Sequence, residues 1–261
     1  MLSVAIVTYN SARSIRPALE SIIKNISLSY APIIVVIDNN STDSCPAILE
    51  EFENRYSFIT CIKNLSNRGF AQAHNQVILT LESRYHVICN PDIVFSADIF
   101  TPLVDFMETH PQIGLCCPKF LNSDGTVQPL NRRFPTVLDL FLRRLLPNVL
   151  RPFFKKRLES YDMRDIGYDR SCDVPFVSGA FMFCRTDVLK AAGGFDERYF
   201  LYFEDADLSR KVQDYGYRTV YFPDVIVTHA WERMAHKSWL GTWLFMKSAY
   251  KYFRKWGFKW W

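Results

Sequence analysis

The chain has 261 residues, of which 49% are hydrophobic and 22% are charged. This length fits one large domain or slightly more, at about 100–200 residues per domain. The apolar fraction excludes a disordered chain, and 10 Gly with 13 Pro exclude a collagen-like or low-complexity one. The net charge of +4 is unevenly spread, because residues 132–157 carry +7, residues 232–261 carry +6 and the remainder carries −9. Two basic, aromatic-rich segments on an acidic body indicate an anionic partner surface, either a membrane or a nucleic acid.

The N-terminus has the pattern of a buried strand, without a basic leader or a small-residue cleavage site, so we expect no signal peptide. No uncharged apolar stretch reaches the ~18 residues of a membrane-spanning helix. The seven Cys are scattered and form no Cys-x-x-Cys pair, which argues against a disulfide framework or a zinc knuckle. These features predict a cytoplasmic protein with reduced thiols.

Strand and helix patterns alternate along residues 1–89. Four short β-branched runs have the length of buried strands, and helical apolar stripes lie between them. The predicted strands are Val4–Val7, Ile33–Ile37, Ile59–Lys63 and Tyr85–Cys89, and the predicted helices cover Ile15–Ile26, Cys45–Tyr56 and Phe70–Leu81. This alternation predicts an α/β fold with a parallel sheet covered on both faces. Ligands of such sheets bind beyond the carboxyl ends of the strands.

Beyond Cys89 the pattern becomes mixed. In chain order it predicts a helix over Ile99–Thr109, a strand over Ile113–Lys119, a turn at Asn122–Gly125, a mobile polar loop over 159–173, a strand over Val174–Cys184, a helix over Asp205–Asp214, and strands over Arg218–Phe222 and Val225–Thr228. We expect one domain over residues 1–231, followed by a basic, aromatic helical segment over 232–261.

The tripeptide Asn90-Pro91-Asp92 follows a predicted buried strand. Proline restricts the backbone between two side chains that carry oxygen atoms. A carboxylate at a strand end can hold Mg²⁺ or Mn²⁺, which in turn bridges nucleotide phosphates. His229 ends another apolar strand, and neutral imidazole suits Mn²⁺-like ions. The alternatives are an ordinary turn and a packed core histidine, and nothing in the sequence places His229 beside Asp92.

Three acidic residues, Glu204, Asp205 and Asp207, occur within four positions at a predicted helix start. One of these carboxylates could take the proton from an attacking hydroxyl, and the aromatic residues before them would raise its pKa by desolvation. Stabilisation by the helix dipole explains the same spacing equally well.

The segment Asn67-Arg68-Gly69-Phe70 precedes a predicted helix that contains Asn75. A functional interpretation uses Gly69 for close backbone approach and the helix end for a phosphate. An ordinary helix N-terminus is the alternative.

Taken in order, these pieces resemble glycosyltransferase family 2, the inverting enzymes with the GT-A nucleotide-sugar fold, over roughly residues 1–230. The likeness is strongest to bacterial rhamnosyltransferases of O-antigen and related polysaccharide assembly. The matching segments are Val7-Thr8-Tyr9-Asn10, Val36–Asp43, Asn67–Phe70, Asn90-Pro91-Asp92, Arg133-Phe134-Pro135, Ser178–Met182, Gly194–Glu197 and Glu204–Leu208.

The resemblance implies a Rossmann-like mixed sheet flanked by helices, here with a C-terminal amphipathic helical appendage, and it assigns roles to individual residues. Asp205 falls on the general base, with Glu204 beside it. Asp92 and His229 fall on metal positions, whereas Asn90 stands where the family has the first aspartate of its Asp-x-Asp motif. The residues expected to hold the donor are Thr8, Tyr9, Asn10, Asp38, Asn40, Asp43, Arg68, Gly69, Asn75 and Asn90.

The implied reaction is a single displacement that needs Mg²⁺ or Mn²⁺ and inverts the anomeric carbon. The implied donor is dTDP-rhamnose, and the implied acceptor is a polyprenyl-pyrophosphate-linked saccharide at the cytoplasmic face of the inner membrane. The alternatives are a family 2 transferase with another donor, or a nucleotide-sugar-binding scaffold without catalysis.

Tryptophan and lysine alternate in the C-terminal segment, as is typical of helices that lie in a membrane interface. We therefore expect peripheral membrane contact, with Leu140–Arg157 as a second contact. In the alternative interpretation the aromatic side chains pack on the domain or on a second copy of the chain in a homodimer. Nucleic acid ranks last, because no recognised nucleic-acid module accompanies the segment, and we expect no such partner.

Overall fold

A computed structural model describes residues 1–144, 146–230 and 239–261 of the chain. The strands in these ranges are β1 (Leu2–Thr8), β2 (Ile33–Asp38), β3 (Ile59–Lys63), β4 (Tyr85–Cys89), β5 (Ile93–Val94), β6 (Ile113–Leu121), β7 (Cys172–Asp173), β8 (Phe181–Arg185) and β9 (Arg218–His229). The α-helices are α1 (Ala12–Asn25), α2 (Cys45–Arg55), α3 (Gly69–Ile78), α4 (Phe100–Thr109), α5 (Val137–Arg144), α6 (Lys155–Tyr161), α7 (Thr186–Ala191), α8 (Glu204–Asp214) and α9 (Trp239–Trp256). Short 3-10 helices cover Leu28–Tyr30 and Asn148–Phe154.

All nine strands in the described residues join one mixed sheet, in the order β3-β2-β1-β4-β8-β6-β9-β5, with β7 paired to β9. The strands β3, β2, β1 and β4 are parallel, whereas β8 is antiparallel to both β4 and β6. The Val- and Ile-rich strands β1, β2 and β4 are buried along almost their whole length, because helices cover both faces of the sheet. This confirms the alternating pattern predicted for residues 1–89.

Three predicted segments differ from the structure. Of the strand predicted over Val174–Cys184, only β8 is regular, because residues before it donate main-chain N–H groups to side chains: Val177 to Ser209 and Gly179 to Asp205. The polar loop predicted over 159–173 includes the end of α6 and β7. The two strands predicted over Arg218–Phe222 and Val225–Thr228 form the single strand β9, in which the pairing register with β6 shifts between them.

The helix α9 packs one face against the rest of the domain. Its Ala249, Tyr252 and Phe253 are buried in a cluster with Phe203 and Ala206 at the start of α8. The alternative in which these aromatic side chains pack on the domain is therefore correct for this face of α9. None of the helices in the described ranges combines the length and the apolarity that a membrane span needs. The predicted domain boundary at 231/232 lies outside the described residues.

The contact between α9 and α8 is fixed by a fully buried carboxylate, Asp207. Lys255 Nζ lies 2.7 Å from Asp207 Oδ1, and Trp256 Nε1 donates a hydrogen bond to the same oxygen at 2.7 Å. Lys255 also pairs with Asp196 at 3.0 Å. A buried charge needs such partners, so the helix start that carries Asp205 depends on α9.

We expect Lys255→Met to lower the free energy of unfolding by about 2–4 kcal/mol, because it leaves the Asp207 carboxylate buried without its cation. Chemical denaturation measures this loss. Lys247→Met is the matched control, since Lys247 is exposed on the same helix and its substitution should change stability by less than about 0.5 kcal/mol. Equal stability of the two variants would show that the buried pair does not hold α9 in place.

Candidate active site

The carboxyl ends of β1, β2 and β4 lie side by side at one edge of the sheet. Thr8 at the end of β1 pairs with Asp38 at the end of β2, and Ile6 pairs with Cys89 at the end of β4. The predicted donor residues after these strands are thus brought to one edge, as the parallel order requires. Asn90 follows β4 directly, and its main-chain N–H donates to the carbonyl of Ala180 at 2.9 Å.

Polar contacts hold the loops after β1 and β2 together. The buried Asp38 carboxylate accepts hydrogen bonds from the hydroxyl and the main-chain N–H of Ser41, at 2.5 and 3.1 Å. Ser41 Oγ in turn accepts from the main chain of Asn10, and Asn10 Oδ1 accepts from the main chain of Thr42. Asn10 and Asn40 have φ angles of 54° and 67°, a left-handed conformation that asparagine tolerates well. Of the residues predicted to hold the donor, Tyr9, Asn10, Asn40, Asp43 and Arg68 are exposed.

Two of the residues predicted to hold the donor have side chains that contact other parts of the protein. The Thr8 hydroxyl is buried and lies 3.3 Å from Cys45 Sγ. The Asp43 carboxylate accepts from the main-chain N–H groups of Ala12 and Cys45, so it caps the first turns of α1 and α2. Both side chains therefore support the loops, and their predicted contacts with the donor stay predictions.

Gly69 and Asn75 on α3 also support the protein's own backbone. Gly69 has a φ of 76°, and a Cβ at this position would lie 2.3 Å from the carbonyl oxygen of Phe200. Asn75 is buried, accepts from the N–H of Phe195 at 2.9 Å and donates to its carbonyl at 2.8 Å. Gly69 thus makes a close approach to the loop before α8, and Asn75 fixes the turn that leads into that loop, while their predicted contacts with the donor stay predictions.

Asp92 and His229, which are 137 positions apart in sequence, come together at the antiparallel pairing of β5 with β9. Asp92 Oδ1 lies 3.3 Å from His229 Nε2. On the other side of the ring, His229 Nδ1 lies 2.6 Å from Oε1 of the buried Gln128. Gln128 Nε2 donates to Asn122, which fixes the amide orientation and makes Oε1 the acceptor of an Nδ1–H. In this tautomer, Nε2 presents its lone pair toward the Asp92 carboxylate.

This pair fits a divalent cation. A carboxylate oxygen and an imidazole lone pair that face each other repel unless a cation or a proton lies between them, and an imidazole oriented by a second partner is the usual form of a histidine ligand. In residues 1–144, 146–230 and 239–261, no group of three or more His, Cys, Asp and Glu side chains could hold a metal ion. Mg²⁺ and Mn²⁺ sites commonly use one or two protein ligands, with the remaining ligands coming from substrate phosphates and water.

The candidate base is placed by a strained turn. Tyr202 and Phe203 have φ angles of 71° and 70°, which are unfavourable for bulky side chains. Burial of Phe203 against α9 offsets this strain. The turn sets Glu204 and Asp205 as the first two residues of α8, with both side chains on the wall of a cavity.

The two carboxyl groups at this helix start differ in their partners. Asp205 Oδ2 accepts from the N–H of Gly179 at 3.0 Å, and Oδ1 accepts from that of Ala206 at 2.9 Å. Burial raises the pKa of Asp205, whereas these hydrogen bonds and the charge of Arg132 oppose the rise. Burial and the neighbouring Asp205 charge raise the pKa of Glu204 well above its ordinary value. Burial thus disfavours the charged form of Glu204 more strongly than that of Asp205, whose carboxylate keeps two hydrogen-bond donors.

A cavity of about 280 Å³ brings the predicted chemistry together. Its walls include the predicted metal ligands and the predicted base, namely Asn90, Asp92, His229, Glu204 and Asp205. Arg132, Ser178 and Gly179 complete the polar lining. A sugar held here would have a base on one side and a cation site on the other.

Sequence reasoning gave no role to two residues of this site. Gln128 orients His229, and nothing around it in the sequence separates it from an ordinary loop glutamine. In the sequence, Arg132 is one of several cations of a basic segment, and only its position directly before the Arg133-Phe134-Pro135 motif distinguishes it. The segment Ser178–Met182 matches the family pattern, and in the structure its Gly179 donates the main-chain N–H to Asp205.

We expect the acid limb of the pH profile of kcat/KM to lie above the ordinary aspartate pKa of about 3.9, because a general base acts in its ionised form and burial raises the pKa of Asp205. Arg132→Gln removes a positive charge that lowers this pKa, so the limb should move to higher pH. Profiles are measured beside Arg13→Gln, an exposed arginine on α1. A limb that stays in place or moves to lower pH in Arg132→Gln would contradict the assignment.

Comparison with known proteins gives a consistent result. A sequence model of the family described as "Glycosyl transferase family 2" matches residues 3–193. The N-acetylglucosaminyl-diphospho-decaprenol L-rhamnosyltransferase of Mycobacterium tuberculosis is 29% identical over 243 residues, which cover 88% of this chain and 76% of that protein. The rhamnosyltransferase WbbL of Escherichia coli is 22% identical over 75% of this chain and 72% of its own length.

Among solved structures, the mannosyltransferase PcManGT from Pyrobaculum calidifontis, in complex with GDP-Man and Mn²⁺, superposes with a TM-score of 0.62 at 20% identity. The match covers 89% of this chain, whereas this chain spans 58% of the length of that one. At this identity the likeness shows the fold, and it confirms the GT-A architecture expected from the motifs.

Proposed function

Since this chain belongs to glycosyl transferase family 2 and is a glycosyltransferase, we propose that it transfers L-rhamnose from dTDP-rhamnose to a hydroxyl of a polyprenyl-diphosphate-linked saccharide, with inversion. The observation that carries the chemistry is the single cavity lined by Asp92, His229 and Asp205. The choice of sugar rests on two relatives named as rhamnosyltransferases, and the choice of acceptor rests on the one whose name specifies a diphospho-decaprenol.

In the proposed reaction Asp205 accepts the proton of the acceptor hydroxyl as that oxygen attacks the anomeric carbon. Its two oxygens are aimed by the N–H groups of Gly179 and Ala206, so the base is positioned before the acceptor arrives. Because burial raises its pKa, Asp205 is a stronger base than a solvated aspartate. Burial and the Asp205 charge favour the neutral form of Glu204, which can donate a hydrogen bond to a sugar oxygen.

Asp92 and His229 would hold Mg²⁺ or Mn²⁺, with Asn90 beside them as a neutral oxygen ligand or hydrogen-bond donor. A cation at this position stabilises the charge of the departing nucleoside diphosphate. The solved PcManGT complex with GDP-Man and Mn²⁺ supports the use of a divalent metal in this fold. Asp38, Tyr9, Asn40 and Arg68 lie at the adjacent edge, where we propose that the nucleoside is bound.

The test is an assay of the purified chain with a panel of nucleotide sugars and a diphosphate-linked N-acetylglucosamine acceptor, with and without Mn²⁺. Transfer from dTDP-rhamnose that requires the metal supports the proposal. Preference for another nucleotide sugar would keep the reaction class and change the donor. Binding of donors without any transfer or hydrolysis would favour the scaffold interpretation.

We further propose that the exposed face of α9 contacts an anionic membrane surface on the cytoplasmic side. Trp239, Trp243 and Met246 on α9 are each more than half exposed, whereas Tyr252 and Phe253 of the same helix are buried. Lys247 Nζ lies over the Trp243 ring, 4.8 Å from the ring centre. Cations next to tryptophan rings are typical of helices that lie in a membrane interface. Each basic residue close to an anionic surface adds about 1 kcal/mol of attraction.

For this contact, we expect the double variant Trp239→Ser with Trp243→Ser to bind vesicles of anionic phospholipid several-fold more weakly, because each exposed indole contributes apolar burial in the interface. Co-sedimentation measures the bound fraction. Tyr9→Ser is the control, since Tyr9 is also half exposed but lies at the sheet edge. Unchanged vesicle binding by the double variant would remove α9 from this role.

A further inference from the structure

A second cavity, of about 420 Å³, adjoins the one that contains the metal pair. The two cavities share Arg132, Tyr202, Glu204 and Asp205. The remaining walls come mainly from α5, through Leu140, Arg143 and Arg144, and from Phe245 on α9. Asp205 therefore stands between the proposed donor side and a space whose ligand the reaction described above does not specify.

Three arginines line this second cavity, and two carboxylates lie near them: Asp162, which pairs with two of the arginines, and Asp205 on the shared wall. Arg143 Nη1 lies 2.5 Å from Asp162 Oδ1, and Arg132 Nε lies 4.0 Å from the same oxygen. Within the described ranges Arg144 has no carboxylate partner. We call the space that these arginines line the arginine cavity.

The Arg144 guanidinium is held in place by neutral groups. Its Nη2 donates a hydrogen bond to Thr242 Oγ1 at 2.9 Å, and its Cζ lies over the Phe245 ring, 4.8 Å from the ring centre. Its charge lowers the pKa of Tyr202 against the effect of burial, so it acts on the wall next to the candidate base. A guanidinium fixed in this way keeps donors for a bidentate anion, and diphosphates match that geometry.

Glu204 is the other acidic residue on the wall of the arginine cavity. It offsets little of the charge of the arginines, because burial favours its neutral form. Glu204 is 5% exposed, and its Oε2 has no hydrogen-bond partner in the parts of the chain that the structure describes. In the neutral form that burial favours, it adds a hydrogen-bond donor to the cavity. The arginine cavity thus combines excess positive charge with an unsatisfied buried polar atom, which favours an anionic ligand with several acceptor oxygens.

The helices that form the cavity also carry apolar side chains on their outer surfaces. On α5, Phe141 is 49% exposed beside Leu140, and Phe153 in the following 3-10 helix is 82% exposed. On α9, Trp243 and Met246 are exposed on either side of Phe245. A hydrocarbon chain attached to an anion in the cavity would meet apolar surface where it leaves.

From these features we infer that the arginine cavity binds the diphosphate group of the lipid-linked acceptor and so delivers the acceptor hydroxyl to Asp205. This assignment rests on the proposed glycosyl transfer and adds to it the group that selects the acceptor.

The experiment compares two acceptors with the purified full-length chain: N-acetylglucosamine linked to an undecyl chain through diphosphate, and the undecyl glycoside without diphosphate. We expect Arg144→Gln to lower the preference for the diphosphate acceptor, measured as a ratio of kcat/KM values, by about tenfold or more. Arg144→Lys should fall between it and the parent chain, because lysine keeps the charge but loses the planar pair of donors. Lys156→Gln, the same charge change at an exposed site on α6, should leave the ratio unchanged.

An unchanged ratio in Arg144→Gln, or no preference in the parent chain, would overturn the inference. Thermal unfolding of each variant, with and without donor, shows that the fold and the donor site are intact. If the parent chain transfers no sugar to either acceptor, the proposed function fails first. Calorimetric binding of the diphosphate acceptor then decides the inference alone, since loss of binding in Arg144→Gln supports it and equal binding rejects it.

Discussion

Asp205→Asn should reduce the turnover of sugar transfer by about 10²–10⁴-fold, the contribution typical of a positioned general base. The substitution keeps the shape of the side chain and removes its basicity. Because the Asp205 oxygens accept hydrogen bonds from Gly179 and Ala206, asparagine can keep one of these contacts and the turn should persist. Steady-state kinetics measure the loss. The rise in melting temperature on donor binding shows that the donor site is retained.

Two companion variants make this result specific. Asp214→Asn changes an exposed carboxylate at the other end of α8 and should leave turnover unchanged. Glu204→Gln should cost less than Asp205→Asn, because burial and the Asp205 charge favour the neutral form of Glu204, and an amide also donates hydrogen bonds. Near-normal turnover in Asp205→Asn, or an equal loss in Glu204→Gln, would remove Asp205 from the role of base.

The half of the fold that builds the sheet edge was predictable from periodicity. The strands β1, β2 and β4 are continuous apolar runs that end in polar residues, so both their burial and their common edge follow from local pattern. The segment before β8 was not predictable in this way. Its hydrophobic residues suggested a strand, whereas its main-chain donors are used by Ser209 and Asp205, which are contacts between distant parts of the chain.

The residues of the candidate site likewise fall into those predictable from local sequence motifs and those that depend on contacts between distant parts of the chain. The cluster of Asn90, Asp92 and Asp205 came from ordered motifs, whereas the approach of Asp92 to His229 depends on the pairing of β5 with β9. Thr8, Asp43, Gly69 and Asn75 occupy motif positions yet contact the protein itself, because a loop that must hold a ligand needs its own support. Sequence alone does not separate a residue that touches the ligand from one that holds the loop.

Asp92→Asn should weaken the binding of Mn²⁺ in the presence of nucleoside diphosphate by more than 10–100-fold, the loss typical of removing a second-shell partner of a metal ligand. The variant removes the anionic oxygen that lies 3.3 Å from His229 Nε2 and leaves the imidazole in place. Transfer should be lost in parallel, since the charge of the leaving diphosphate is then uncompensated. Titration of free Mn²⁺ by electron paramagnetic resonance measures the affinity independently of catalysis.

Gln128→Leu provides a graded comparison for Asp92→Asn, because it removes the acceptor of the His229 Nδ1–H and should lower Mn²⁺ affinity by about 10–100-fold without touching a ligand. Asp224→Asn, an exposed aspartate on the same strand as His229, should have no effect. The Mn²⁺ affinity should therefore fall most in Asp92→Asn, less in Gln128→Leu and not at all in Asp224→Asn. This order is expected only if the cation lies between Asp92 and His229. If Asp92→Asn bound Mn²⁺ as tightly as the parent chain, the cation would lie elsewhere, and Asp92 would not be a metal ligand.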